Sequence, residues 1–340
     1  MPKRQEKNEQ IRQFILENVE AHPADITSVT SARFGISRQA SHKHIQKLVQ
    51  EGLLSSTGTT RRKYEVKPLV NFSTQVSIQG LEEDKLWRQT VLSLMTNVPA
   101  NVLQICHHGF TEMVNNAIDH SEGTKLKISV MRTHTLIEIQ IGDNGVGIFN
   151  KIQKAFNLDD PLHAILELSK GKLTTDPARH SGEGIFFTSR IFDRFAIISG
   201  KLSFTHLESD KDWLLEDKDV VFAGTLIQMR INLRSKRNIQ QVFDTYTSDD
   251  FSFTKTHVPV FLARYGDENL VSRSQAKRLL ARFERFKEIV LDFDNVDSIG
   301  QAFADEIFRV FVIQNPAIHL IPINANKQIQ KMIAHVKNAT

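Results

Sequence analysis

The chain lacks the features that mark disulfide-rich and membrane-spanning proteins. Cys106 is the only cysteine among 340 residues, which excludes an intramolecular disulfide and a zinc site made of several cysteines. No apolar run approaches the roughly 20 residues of a membrane-spanning helix. The first residues carry charge but no apolar signal segment. These absences predict a soluble cytoplasmic protein without a membrane partner.

The net charge and the length of the chain exclude fewer classes of protein. The formal net charge of +4 at pH 7 is too small to indicate a nucleic-acid partner by itself. A length of 340 residues suggests two or three domains. Changes of pattern along the chain favour three, over residues 1–70, 71–235 and 236–340, and we expect a multidomain α+β fold.

A predicted helix near the middle of the chain carries two polar residues on one face. Apolar residues recur at helical spacing from about Asn101 to His120. Glu112 and Asn116 are four residues apart and share a face of this helix. A carboxylate one turn from a carboxamide can activate water beside a magnesium ligand, as phosphate-ester hydrolysis requires. An isolated pair of this kind is more often part of a solvated helix face.

A predicted hairpin delivers an aspartate to a glycine-containing turn. Residues 125–131 and 136–141 alternate or run apolar, which is typical of paired strands. The sequence D-N-G-V-G follows, with Asp143, Gly145 and Gly147. The glycines let backbone approach a ligand, and the carboxylate suits an exocyclic amine such as that of adenine. Alone, the same sequence is also an ordinary turn.

The stretch from Ile148 to Arg179 has no strand signal and one short predicted helix, near Leu162 to Lys170. A connection of this length inside a compact domain is usually functional, and we expect a mobile lid. It leads to Gly182 and Gly184, which open an apolar helix predicted over Ile185–Phe192. Glycine-rich backbone before a helix presents unpaired N–H groups to phosphate.

In this order, and with Gly224-Thr225 further on, these pieces resemble the GHKL or Bergerat-fold ATPases over about residues 75–235. That group includes type II topoisomerase ATPase domains, mismatch-repair clamps, histidine kinases and anti-sigma-factor kinases. The resemblance implies an α/β sandwich that binds ATP and Mg²⁺.

The resemblance also assigns roles to individual residues. It implies Glu112 as catalytic base, Asn116 as magnesium ligand, Asp143 as the adenine-reading aspartate, Gly145 and Gly147 in the adenine-side turn, Gly182 and Gly184 in the lid and phosphate loop, and Thr225 in support of the adenine contact. Ser181 and Phe186 stand where kinase members usually have glycines, so the phosphate loop departs from the kinase pattern.

The first 70 residues predict three short helices and a two-stranded hairpin. Apolar residues from Ile11 to Val19 recur at helical spacing, and a second helix is predicted from near Asp25. Ser37 follows a glycine-containing turn and is a good N-cap for the third helix. Residues 57–64 are typical of a two-stranded wing with a basic tip.

This order of elements resembles the winged helix-turn-helix of bacterial transcriptional regulators and implies a double-stranded DNA partner. The third helix would enter the major groove, and the wing would contact the DNA backbone. The candidate DNA-binding residues are Arg38, Gln39, Ser41, His42 and Lys43 on the helix and Arg61, Arg62 and Lys63 on the wing. None is acidic, which favours DNA over the alternative, a winged helix that contacts protein.

Residues 236–340 alternate between predicted strands and helices, which indicates a small α/β layer. The predicted strands are Val258–Leu262, Glu288–Phe293 and Ile318–Ile323, and the predicted helices are Arg273–Phe286 and Ile299–Val312. Residues 289–300 resemble the STAS domain of anti-anti-sigma factors, in which a strand ends at a turn that opens a helix. Ser298 matches the phosphorylatable serine of that family. The other interpretation is that Ser298 or Asp297 is only a helix N-cap.

Two classes of function follow from these resemblances, and we favour the first. It is an ATP-responsive bacterial transcription regulator in which Mg-ATP binding, or slow hydrolysis with Glu112 as base, closes the lid and switches the DNA reader. The second is a serine kinase of the anti-sigma-factor type that acts on Ser298 of its own or a partner STAS domain. An ATP-gated clamp in nucleic-acid metabolism or phage defence is a third alternative.

The resemblances also imply partners beyond ATP and DNA. A STAS-like domain offers a surface for a regulatory protein, and GHKL members often dimerise, which allows a homodimer. With either favoured function, the enzyme class would be a weak ATPase or a protein-serine kinase of the GHKL group.

Overall fold

The computed structural model describes residues 2–59, 62–174, 181–207, 212–216, 221–250, 252–264 and 268–338. These residues form a mixed α/β multidomain architecture with sheets of two, seven and three strands. No helix within them has the length and apolar character that a membrane crossing requires.

Three helices and a small antiparallel sheet make up the first part of the chain. They are α1 (Pro2–Asn18), α2 (Ile26–Phe34), α3 (Arg38–Gln50), β1 (Leu54–Thr57) and β2 (Lys63–Val66). Gly35 ends α2 in the left-handed conformation (φ 61°). Ser37 caps α3 by accepting a hydrogen bond from the Ala40 N–H (3.1 Å). Apolar side chains of these elements, including Ile15 and Ile45, bury a small core of their own.

A large antiparallel sheet forms the centre of the molecule. Its strands are β3 (Val70–Ser77), β4 (Lys125–Arg132), β5 (Leu136–Asp143), β6 (Arg194–Gly200), β7 (Leu202–Leu207), β8 (Asp212–Glu216) and β9 (Phe222–Asn232). They lie in the order β3-β4-β5-β9-β6-β7-β8. In the register of β5 against β9, Ile139 lies opposite Met229 and Ile141 opposite Ile227. Side chains along β4 and β5 are alternately buried, as expected for a sheet with one covered face.

Helices pack on the buried face of this sheet or on one another beside it. They are α4 (Glu83–Leu86), α5 (Ala100–His120), α6 (Ile148–Ala155), α7 (Pro161–Lys170) and α8 (Gly184–Ile191). The long helix α5 buries Phe110 and Val114 and packs against β5, β9 and α8. A Cβ atom at Gly109 would lie 2.4 Å from the Phe192 ring, so this glycine allows α5 its close approach to the end of α8.

The last part of the chain is an α/β layer on a parallel sheet. Its elements are α9 (Ile239–Tyr246), β10 (Lys255–Pro259), α10 (Arg273–Leu280), β11 (Glu288–Asp292), α11 (Gln301–Asp305), α12 (Val312–Gln314), β12 (His319–Ile323) and α13 (Lys327–Lys337). Strand β11 lies between β10 and β12, parallel to both. The core around Ile289 and Phe303 is continuous with the core beneath the seven-stranded sheet.

The structure corrects one predicted strand. The sequence predicts a strand over Val258–Leu262, but the strand is Lys255–Pro259 and residues 260–263 form a 3-10 turn. Proline lacks the N–H that would continue the ladder, so Pro259 stands at the end of the strand. The apolar residues after it are buried by packing rather than by pairing.

The stretch predicted as a lid, residues 148–179, contains more helix than the sequence indicates. The stretch from Ile148 to Lys170 contains two helices, and every residue from His163 to Lys170 is buried. Helix α7 starts with a proline, and the Asp160 side chain accepts a hydrogen bond from the Leu162 N–H (2.7 Å), which caps the helix. The short helix predicted near residues 162–170 is therefore confirmed as α7, whereas the expectation of a loop is wrong over residues 148–155, which form α6. Residues 175–180 lie outside the described part of the chain.

Candidate functional site

A cleft opens beside the central sheet. Its walls come from the second half of α5, the end of β5, the start of α6, the end of α7 and the segment before α8. The predicted site residues that line it are Glu112, Asn116, Asp143, Gly147, Gly182, Gly184 and Thr225. Gly145 joins the site through its N–H, which donates to Asp143 Oδ1 (2.8 Å). The fold thus brings residues that are far apart in sequence to one cavity.

Asp143 is a half-buried carboxylate held from two sides. Its Oδ1 accepts hydrogen bonds from the N–H groups of Gly145 (2.8 Å) and Thr225 (3.3 Å). Burial raises the pKa of Asp143, and these hydrogen bonds offset only part of the effect. The Thr225 hydroxyl accepts a hydrogen bond from the Ile148 N–H (2.9 Å), so β9 also fixes the start of α6. The carboxylate is therefore positioned on the cleft wall before any ligand binds.

Gly147 cannot carry a side chain in this backbone. Its φ angle is 83°, a left-handed value that side chains disfavour. A Cβ atom there would lie 2.6 Å from the Ser199 hydroxyl oxygen, which in turn donates to the Gly224 carbonyl (2.7 Å). The turn after β5 is thus packed directly against the end of β6 and the start of β9.

Glu112 and Asn116 face the cleft from α5, one helical turn apart. Asn116 Nδ2 is buried and has no hydrogen-bond partner among the described residues. A buried polar group without a partner requires an explanation, and a ligand in the cleft would provide one. When the amide turns over, its oxygen faces the cleft instead, and an amide oxygen suits a hard cation such as Mg²⁺.

No cluster of three or more His, Cys, Asp or Glu that could hold a metal ion occurs within the described ranges.

The backbone before α8 approaches Glu112 closely. A Cβ atom at Gly184, the first residue of the helix, would lie 2.3 Å from Glu112 Oε2, so a side chain there would displace the Glu112 carboxylate from its present position. Glycine here also leaves the N–H groups of the first turn of α8 open to the cleft, where an anion would be favoured. The structure thereby places a helix N-terminus next to the candidate base.

Lys151 is a cleft residue that the sequence did not indicate. It is the only lysine or arginine among the described residues that line the cleft. Its Nζ donates to the His120 carbonyl (2.7 Å) and to Glu122 Oε1 (2.9 Å), and this contact lowers the pKa of Glu122. Because α6 was not predicted as a helix, the shared face of Ile148 and Lys151 was not apparent from the sequence.

The predicted DNA-binding residues of α3 do not all point outward. Arg38, Gln39, His42 and Lys43 are exposed, but Ser41 is fully buried. Ser41 precedes Ile45 by one turn and shares its inward face. The prediction that Ser41 contacts DNA is therefore wrong.

The predicted wing lies in the hairpin of β1 and β2. Arg62 and Lys63 are exposed where β2 begins. Arg61 falls outside the described residues. The basic side chains on this hairpin therefore face solvent where the structure describes them.

Ser298 lies between β11 and α11 and is half-buried. Helix α11 begins at Gln301 with Gly300 as its N-cap, so the interpretation of Ser298 or Asp297 as a helix cap is wrong. The N–H of Gly300 instead donates to the Leu270 carbonyl (2.8 Å), which ties this turn to the segment before α10. The strand that precedes the turn ends at Asp292, whose Oδ2 lies 3.1 Å from His257 Nε2.

Comparison with known proteins identifies one part of the chain. Residues 275–330 match a family described as a STAS-like domain of unknown function (DUF4325). The match begins in α10, contains β11 and β12, and ends in α13. The chain therefore contains a STAS-like domain, and Ser298 lies inside it. No curated protein matches the chain.

Proposed function

We propose that the cleft binds ATP with Mg²⁺ and that residues 71–235 form a GHKL-type domain of the Bergerat fold. The observation that supports this most strongly is Asp143, which two backbone N–H groups hold at the cleft wall. A carboxylate fixed in this way can accept a hydrogen bond from the exocyclic amine of adenine. The cleft is lined by apolar side chains together with a few polar groups, as small-molecule sites usually are.

The phosphate end of the proposed ligand lies near α5 and α8. The N–H groups at the start of α8 face this region, and Lys151 supplies positive charge to the cleft. Asn116 would offer its amide oxygen to Mg²⁺, and the ion would supply charge stabilisation to the phosphate. Glu112 acts as general base and takes a proton from the attacking water.

We further propose that residues 1–70 form a winged helix that reads double-stranded DNA. Support comes from the exposed basic and polar side chains of α3 and of the β1–β2 hairpin. They are Arg38, Gln39, His42, Lys43, Arg62 and Lys63. In this proposal the side chains of α3 contact base edges or phosphates, and those of the hairpin contact the DNA backbone.

An ion cluster connects the proposed reader to the sheet beside the cleft. Arg230 on β9 contacts Glu138 on β5 (2.8 Å) and Glu20, just after α1 (3.1 Å). The same two strands carry Asp143 and Thr225 to the cleft. A change in the spacing of β5 and β9 on nucleotide binding would therefore reach Glu20 and the orientation of the reader.

The alternative function is a serine kinase of the anti-sigma-factor type. The STAS-like match supports it, because kinase-like and STAS-like segments are then fused in one chain with Ser298 inside the match. The γ-phosphoryl group would pass from ATP to the Ser298 oxygen of the same or another chain, the hydroxyl proton would go to Glu112 as general base, and ADP would leave. Phosphorylation, rather than nucleotide binding, would then be the switch.

Incubation with γ-labelled ATP and Mg²⁺ separates these functions. Wild type, Glu112→Ala and Ser298→Ala are compared for free phosphate and for label retained on protein. Slow release of phosphate that Glu112→Ala abolishes supports the ATPase switch. Retained label that Ser298→Ala removes supports the kinase. Nucleotide binding without either signal leaves ATP as a sensed ligand, and absence of binding contradicts the proposal.

A further inference from the structure

Helix α7 lies between the cleft and the STAS-like domain. Leu168 near its end lines the cleft, and the wall continues through Leu173 and Thr174. The helix also packs against β10 and the 3-10 turn that follows β10. One short segment is thus part of the cleft wall and part of the contact with the C-terminal layer.

A buried charge cluster forms this contact. The side chain of Lys170 is fully buried, and its Nζ donates to Glu167 Oε1 (2.6 Å). It also donates to the carbonyls of Arg278 (3.2 Å) and Ala281 (2.9 Å), which belong to the STAS-like match. Burial lowers the pKa of Lys170 to about 8, although Glu167 opposes the shift. Full burial of such a group is costly unless every donor is used, so the partners at α10 are integral to the cluster.

Arg282 completes the cluster from the STAS-like side. Its Nε donates to Glu167 Oε2, and its Nη2 donates to the Glu167 carbonyl (2.8 Å). Its Nη1 donates to the Lys172 carbonyl (3.2 Å), five residues further along the chain. One guanidinium thereby binds a carboxylate and two backbone carbonyls of residues 167–172, which fixes both ends of this segment.

The backbone next to the cleft is held as well. The Thr256 hydroxyl on β10 donates to the Lys170 carbonyl (2.7 Å). Lys172 Nζ donates to the Arg285 carbonyl (2.9 Å). The Leu173 N–H then donates to the Gly182 carbonyl (3.2 Å), which joins the held segment to the glycines before α8. A continuous series of hydrogen bonds therefore connects the C-terminal layer to the cleft wall.

We infer that the STAS-like domain is an intramolecular clamp on residues 167–174 and that its docking preorganises the cleft for its ligand. The nucleotide part of this inference rests on the proposed function. A wall held in its binding conformation loses less entropy when a ligand binds, so docking strengthens binding. By linkage, a ligand in the cleft strengthens docking by the same factor. A signal that loosens the STAS-like domain thus lowers the affinity of the cleft.

The clamp is tested first without a ligand. Arg282→Met keeps the length of the side chain and removes its hydrogen bonds to α7. Arg309→Met is the matched control, because Arg309 pairs with Asp305 inside the STAS-like domain. In hydrogen exchange of the full chain, we expect amides of residues 163–174 to exchange about tenfold faster in Arg282→Met than in the control. Equal exchange in the two variants overturns the clamp.

The coupling is tested with Mg-ATP. In wild type, we expect ATP to slow exchange in residues 278–286, none of which lines the cleft. Arg282→Met should bind ATP about tenfold more weakly than Arg309→Met and should lose this protection. Equal affinities, or unchanged exchange at 278–286, overturn the coupling.

The two tests distinguish failure of the proposed function from failure of the clamp. Should wild type bind no ATP, the proposed function and the coupling both fail, and the ligand-free exchange still decides the clamp. Should Arg282→Met unfold, Glu167→Gln replaces it, because that change leaves Arg282 in place and weakens the same contact.

Discussion

At the scale of single residues, the cleft combines groups that burial makes unfavourable. Asp143 is a carboxylate whose burial raises its pKa, and Asn116 Nδ2 has no partner within the described structure. Groups of this kind reduce stability unless a ligand satisfies them. Their presence in one cleft is the residue-scale argument that the cleft binds a polar ligand.

The raised pKa of Asp143 predicts a pH-dependent gain of stability on mutation. When folding raises the pKa of a carboxyl group, as it does for Asp143, the protonated group stabilises the fold at pH values below the pKa of the unfolded state. This stabilisation is lost as the pH rises through the pKa of the folded state. At neutral pH the charged Asp143 therefore destabilises the fold. We expect Asp143→Asn to raise Tm at neutral pH and to approach wild type at acidic pH, as measured by thermal unfolding. A Tm that is lower in the variant at every pH would contradict this explanation, and Asp244→Asn on the exposed side of α9 is the control.

Lys151 predicts a difference between ligands with and without phosphate. Its charge on the cleft wall should attract the phosphates of ATP but not the base. We expect Lys151→Met to weaken ATP binding about tenfold and to leave adenosine binding unchanged, as measured by calorimetric titration. Lys154→Met is the control, because Lys154 is exposed on the same helix. Equal losses for ATP and adenosine would assign Lys151 a structural role only.

At the scale of elements, the sequence indicated those whose apolar period is local and regular. The α5 helix and the β4–β5 hairpin lie within two residues of their predicted ends. The α6 helix was missed, because it is short and follows a glycine turn that also suits a loop. Since Lys151 and Ile148 lie on α6, that error also hid part of the cleft.

Two substitutions at helix α3 should change the free energy of unfolding in opposite directions. The Ser41 hydroxyl is buried without a partner among the described residues, so Ser41→Ala should raise the free energy of unfolding by about 1 kcal/mol. Ser37→Ala removes the N-cap of the same helix and should lower that free energy by about 1 kcal/mol. Chemical denaturation measures both changes. Ser41→Ala should bind DNA with the same affinity as wild type. A lower DNA affinity in Ser41→Ala would show that Ser41 does contact DNA.

At the scale of the whole molecule, the central sheet and the C-terminal layer share one core. Phe187 on α8 stacks on Phe243 of α9 with ring centroids 4.0 Å apart, and Phe186 contacts Phe253 at 4.6 Å. The sequence shows that these residues are apolar, but it cannot show which distant segment covers them. The same limit applies to the Glu167–Lys170–Arg282 cluster, whose members lie 115 residues apart at their ends. Sequence motifs therefore located most of the candidate site and none of its contact with the STAS-like domain.

The most direct test of the central claim is calorimetric titration of the full chain with Mg-ATP, comparing wild type, Asp143→Asn and the control Asp244→Asn. We predict that wild type and the control bind alike and that Asp143→Asn binds at least about 100-fold more weakly. The N–H groups of Gly145 and Thr225 hold the side-chain oxygen, so the variant presents its NH2 donor to the adenine amine, which needs an acceptor. Binding by Asp143→Asn with the wild-type affinity, or no binding by wild type, would contradict the assignment of the cleft to ATP.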